Sequence, residues 1–175
     1  DWSSDVCSSD LEDPEPLFEE IAKLDVEKAT RRMQEIYAEP LKPSLVTQRI
    51  REIKAAGVTA VAAVTPQRAQ MLMSAIVAGE LDMLVIQGTV VSAEHVSRTV
   101  EPLNLKQFVR ELDLPVIVGG CASYQAGLHL MRTGAAGVLV GVGPGHACTT
   151  RGVLGIGVPQ ATAIADVRAA RMRHL

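Results

Sequence analysis

From Val58 onward the hydrophobic residues gather into four short, nearly continuous runs. They are VTAVAAV (58–64), DMLVIQG (82–88), LPVIVGG (114–120) and AGVLVGVG (136–143). Runs of this length, rich in Val and without polar alternation, predict strands buried on both faces, as in a parallel sheet. Between them lie PQRAQMLMSAIVAG, SAEHVSRTVEPLNLKQFVREL and SYQAGLHLMRTG, which carry apolar residues at helical spacing. A last helix is predicted for VPQATAIADVRAARMRHL, with Pro159 near its first turn. Gly57, Gly79 and Gly134 stand where helices stop before the next strand. Upstream, PLFEEIAKL and DVEKATRRMQEIYAEP are also helical, the second with Asp25 as N-cap. Ser44 is the expected cap of SLVTQRIREIKAAG, whose Val46, Ile50 and Ile53 make one face. Met71, Met73 and Met131 fall among helical apolar positions and read as core.

A strand followed by a helix, repeated four times, predicts an α/β fold. The pattern allows a doubly wound open sheet or part of a (β/α)8 TIM barrel. A complete barrel takes eight strands and roughly 250 residues, so four βα units make at most half of one. In either fold ligands gather at the C-terminal ends of the strands. Four segments meet that rule: Thr65-Pro66, Gln87-Gly88-Thr89, Gly119-Gly120-Cys121 and the stretch 142–157. The last is much longer than the other turns and rich in Gly, and long connections in compact domains are usually functional. It contains Cys148, which is either a nucleophile held on a loop or a small apolar residue packed beneath one. Cys121 ends a buried strand and reads as structural.

Composition narrows the class. The 175 residues are 47% hydrophobic, enough for one domain with a real core. A formal charge of -3 leaves no basic footprint for nucleic acid, and no apolar run approaches a membrane span. Three cysteines without an even framework fit a reducing compartment, so a soluble cytoplasmic protein is expected. No Cys/His spacing resembles a zinc site. Residues 1–11, DWSSDVCSSDL, carry no period and look like the translation of a sequencing adapter. We therefore expect a non-native segment at 1–11 and a single domain at 12–175. Without Asp1, Asp5 and Asp10 the acids equal the 17 Lys and Arg in number. On this reading the chain is a fragment, without turnover of its own, and its outer strands present unpaired edges prone to association.

The stretch GVGPGHACTTRGVLGIGVPQATAI resembles the active loop of the IMP dehydrogenase and GMP reductase family. There a GxGPGSxCTTR segment is followed by GxGxPQxTA. IQGTVVSAEHVS and EPLNLKQFVRELDLPVI are more similar still to the IMP dehydrogenase-related branch, which lacks the inserted CBS regulatory pair. The resemblance covers residues 12–175 and implies an incomplete (β/α)8 barrel holding the middle strands. It implies a purine nucleotide, IMP or GMP, as substrate and NAD or NADP as cofactor, in a homo-oligomer, commonly a tetramer. By position Cys148 is the nucleophile that adds to purine C2, and Thr150 assists proton movement at the adduct. Gly143, Gly145 and Cys148 match the carbonyl ligands of a monovalent cation, potassium. His146, Gly120 and Gln160 match substrate-binding positions, and Gln87 a cofactor-binding one. Arg151 is a candidate phosphate contact.

Three positions depart from the family pattern. Gln87 stands where dehydrogenases carry Asp, Gly120 where they carry Asn, and His146 where the phosphate-binding Ser is usual. Gln can hydrogen-bond a hydroxyl but brings no charge, and Gly brings no side chain. GMP reduction with NADPH, through the same cysteine adduct, is therefore the alternative to IMP oxidation. A catalytically weak nucleotide-binding relative is another. A flavin-dependent barrel oxygenase shares VIQGT and PVIVGG but lacks the CTTR segment.

Overall fold

A computed structural model of the chain describes residues 11–88, 90–92 and 102–175. Residues 1–10 of the adapter-like segment, Thr89, and residues 93–101 with His95 lie outside the described residues. The chain divides into two compact units, residues 1–62 with 72–81, and residues 63–71 with 82–175.

The first unit is helical. Helix α1 spans Glu15–Ala22, α2 Val26–Tyr37 and α3 Pro43–Ala55. Asp25 caps α2 as expected, accepting a hydrogen bond of 3.0 Å from the Lys28 amide. Ser44 does not cap α3. Proline's fixed φ suits the first helical turn, so the helix begins at Pro43 and Lys42 becomes the N-cap without a side-chain bond. Leu45 and Ile50 are the buried residues of α3, whereas Ile53, expected beside them, is exposed. The second half of α4 (Pro66–Ala78) belongs here too. Thr47 Oγ1 donates to the Ala75 carbonyl at 2.9 Å. Gly79 is required by contact, since a Cβ there would lie 2.9 Å from Ile50 Cβ. The left-handed residue that ends this helix is Glu80, with φ of 59°, one position later than expected. Gly57 does take the left-handed conformation, with φ of 73°.

The second unit holds three of the four strands whole and the end of the first. Strand β1 is Val61–Val64, β2 Met83–Gln87, β3 Val116–Cys121 and β4 Gly137–Val140, ordered β1-β2-β3-β4 in one sheet. Each lies inside its predicted run, except that β3 extends one residue further, to Cys121. β2 pairs parallel with β3 (Leu84 opposite Val116, Gln87 opposite Gly119), and β3 with β4 (Val118 opposite Val138). Leu84, Val85 and Ile86 are buried in succession, as a strand covered on both faces requires. Gly119 is dictated by packing, because a Cβ would sit 2.5 Å from Leu139 Cβ. Register slips between Gly119 and Cys121, making Gly120 the extra residue of a bulge.

Helices α5 (Leu105–Glu111), α6 (Tyr124–Met131) and α8 (Gln160–His174) follow the strands, and α7 (Thr149–Leu154) lies inside the long connection. The expected helix over 92–112 is reduced among the described residues to α5, which Asn104 caps by accepting from the Gln107 amide at 3.1 Å. Gly127 brings α6 against α8, where a Cβ would meet Val167 Cγ1 at 3.1 Å. Met71 is 59% exposed and is not core; Met131 is half-buried. No described helix is long and apolar enough to cross a membrane.

Candidate functional site

The connection from β4 to α8 is closed at its neck and helical at its centre. The Val158 amide donates to the Val142 carbonyl at 2.9 Å. One residue inward, a Cβ on Gly157 would lie 2.6 Å from the Gly143 carbonyl oxygen, so the two backbones touch. Gly143 is left-handed, with φ of 56°, which a side chain would strain. Beyond this neck the chain makes a turn through Pro144 to Ala147 and enters α7. That helix has only six residues and no apolar period, which is why sequence reading takes the segment as irregular.

Cys148 is the N-cap of α7 and is half-exposed. Its thiol is held below the ordinary cysteine range, chiefly by the Arg151 backbone N–H. Burial opposes this as the second-largest effect, and the Thr150 amide and hydroxyl and the Arg151 charge add to the lowering. No N–H closes a full capping bond on the sulfur, so these groups act as oriented dipoles near it. The Arg151 Cγ lies 3.5 Å from where a Gly157 Cβ would be. Cys121 is the opposite case. It is fully buried at the end of β3, and burial pushes its thiol up.

The other predicted residues divide by position. Thr150 sits beside Cys148 at the start of α7 and is half-buried. His146 and Gly145 are exposed on the same turn; a Gly145 Cβ would lie 3.9 Å from Cys148 Cβ. Gly143, Gly145 and Cys148 offer three carbonyl oxygens within six residues, the hard donor type a monovalent cation takes. The Cys148 carbonyl already accepts from the Gly152 amide at 2.9 Å and keeps a second lone pair. Gln87 is exposed at the end of β2, with an amide able to donate to and accept from a ribose hydroxyl. Gly120 is buried, and both its backbone groups are used. Its amide donates to the Gly88 carbonyl and its carbonyl accepts from the Val91 amide, each at 3.0 Å. Its amide is spent, while its carbonyl keeps a second lone pair, so it can offer a ligand that oxygen and close approach. Gln160 opens α8, and its Nε2 donates to the Val140 carbonyl at 2.9 Å.

A cavity of about 280 Å³ lies at the strand ends, bordered by Thr65, Pro66, Ile86, Gly88, Val91 and Ser92. Its lining includes Ile86 and Gly88, the residues on either side of Gln87. Sequence reading finds Thr65-Pro66 by position but not Ser92, which no motif marks. A larger cavity, about 590 Å³, lies elsewhere, between β4 and α8 beside Val138, Ile164 and Arg168. None of the predicted catalytic or binding residues lines it.

Comparison with known proteins identifies the family and the fold. The IMP dehydrogenase / GMP reductase domain matches residues 22–174. An uncharacterized oxidoreductase of Mycobacterium tuberculosis is 53% identical over 159 residues, which is 89% of this chain and 42% of that protein. Inosine-5'-monophosphate dehydrogenase of Pasteurella multocida is 40% identical over 94 residues, 54% of this chain and 18% of that one. The crystal structure of an IMP dehydrogenase/GMP reductase-like protein from Corynebacterium glutamicum superposes with a TM-score of 0.82 at 39% identity. That match covers 96% of this chain and 44% of the other. The chain thus spans about two fifths of the mycobacterial and corynebacterial relatives and less of the Pasteurella enzyme, as four parallel strands of a TIM barrel. It belongs to the IMP dehydrogenase / GMP reductase family of oxidoreductases.

Proposed function

We propose that this chain carries the nucleophile loop of a purine-nucleotide oxidoreductase that converts IMP to XMP through a covalent Cys148 adduct. The observation that carries the reading is a half-exposed thiol at a helix N-cap, with its ionised form favoured by the Arg151 and Thr150 amides. A thiolate is the nucleophile, and an ordinary thiol is only a few per cent ionised at neutral pH. The sulfur lone pair would form the bond to purine C2 as the C2=N3 pair moves to nitrogen. C2 would then give up hydride to the oxidised cofactor, and water would replace sulfur at C2 to give XMP and return the thiol. The Thr150 hydroxyl lies beside it to receive or pass a proton. NAD or NADP, when bound, supplies the hydride acceptor, with Gln87 toward its ribose. Potassium would be held by the carbonyls of Gly143, Gly145 and Cys148. His146, the backbone at Gly120 and the first-turn amides of α8 from Gln160 onward would hold the nucleotide.

GMP reduction to IMP with NADPH is the second reading, favoured by Gln87, which brings no charge to the cofactor side. A purine nucleotide bearing chlorine at C6 or C2 tests the shared step. The thiolate displaces chloride, a C–S bond replaces C–Cl, and intact mass rises at Cys148. Absence of that adduct overturns both readings. In the full-length protein, XMP as product supports the first reading, and IMP with released ammonia supports the second.

A further inference from the structure

We propose that the Gln160 side chain is a positioning residue, a strut that locks the neck of the Cys148 loop to the end of β4. This rests on the reading of Cys148 as nucleophile. Gln160 Nε2 donates to the carbonyl of Val140, the last residue of β4, at 2.9 Å. Its Oε1 is buried without a hydrogen-bond partner among the described residues. Burying an unpaired amide oxygen costs free energy, and a glutamine at the first position of a half-exposed helix could turn that group to water. It keeps the inward pose. The reverse amide orientation would set Oε1 against the Val140 carbonyl, two acceptors face to face, so the donor side is fixed.

The neighbouring backbone is shaped around this side chain. Gly141 has φ of 136°, and a Cβ there would lie 2.7 Å from Gln160 Oε1. Any larger residue at 141 would displace the amide. The strut is the outermost of three fastenings in series: Gln160 to Val140, Val158 to Val142, and Gly157 against Gly143. Together they fix the separation between the end of β4 and the start of α8. The intervening turn and α7 hang from those two points, so the position of the sulfur depends on them.

The test uses Gln160→Met, which keeps length and removes the donor, and Gln160→Glu, which keeps an acceptor and removes the donor. Hydrogen exchange of the 175-residue chain is followed by mass spectrometry, alongside alkylation of Cys148 at one fixed pH with Cys121 as internal reference. Expected in both variants is at least tenfold faster exchange in peptides covering 156–160, with the β2 and β3 peptides unchanged. The Cys148 alkylation rate relative to Cys121 should change at least threefold. Unchanged exchange at the neck overturns the proposal. So does exchange that rises equally in every strand, and so does a loosened neck with an unaltered Cys148 rate. Should the variants fail to fold, the wild-type side-chain amide decides: slow exchange of the Gln160 Nε2 protons supports the strut, and free exchange overturns it. A wild-type Cys148 no more reactive than Cys121 would refute the nucleophile reading instead, while the exchange data still judge the strut.

Discussion

Cys121 and Cys148 are the same side chain in opposite surroundings. Cys121 ends a central strand, within packed hydrocarbon, and burial disfavours its thiolate. Cys148 sits twenty-seven residues later at the start of a six-residue helix, where backbone dipoles and an arginine favour it. The chemical difference comes from the backbone around each sulfur. A strand residue spends its neighbours' amides on the sheet ladder, whereas a helix N-cap meets amides that have no partner of their own.

The sharpest way to break this comparison is substitution. Cys148→Ala should abolish adduct formation with the chloropurine nucleotide, and Cys121→Ala should leave it intact, read by intact mass. Reactivity comes next. At pH 7 an alkylating agent should modify Cys148 on the order of a hundredfold faster than Cys121. Only the ionised sulfur reacts, so a lowered pKa moves the rise in rate to lower pH. The midpoint for Cys148 should fall below that of a free thiol, and that for Cys121 above it. Coincident midpoints in a peptide-resolved alkylation series would erase the distinction.

Stability should divide the two residues the other way. Cys121→Ser places a hydroxyl in a fully buried site and should cost about 1–3 kcal/mol in urea unfolding. Cys148→Ser should change stability by less than about 0.5 kcal/mol, as a half-exposed loop position does. The smallest effect is expected at Gly152, inside α7, where a Cβ would meet nothing within 4 Å. Gly152→Ala should stabilise by about 0.5 kcal/mol through helix propensity, seen as a small rise in Tm. A loss instead would mean that α7 must unwind in the native state.

Much of this arrangement was legible in the residues, and the reasons are local. The Val-rich runs mark strands because burial on both faces removes alternation, and Leu84 to Ile86 display that burial. The Gly-rich stretch around Cys148 stands out by length and composition. What stayed hidden depends on partners distant in sequence or on steric detail. TTRGVL is too short for a helical period to show. The bulge at Gly120 arises only when β3 meets β4. The bond from Gln160 to Val140 crosses twenty residues. Met71 carries an apolar side chain at helical spacing, yet lies on the face of α4 that is left uncovered.

The contact of Gly127 with Val167 reaches further than the packing of two helices. It seats α8 on α6 along the helix axis, and α8 is where the Cys148 loop ends. A bulkier residue at 127 would have to push α8 outward by the width of a methyl group, and the loop's far anchorage would travel with it. Small residues at that crossing are thus a requirement of reach as well as of fit, and a shrunken side chain at 167 is the change that would let position 127 grow.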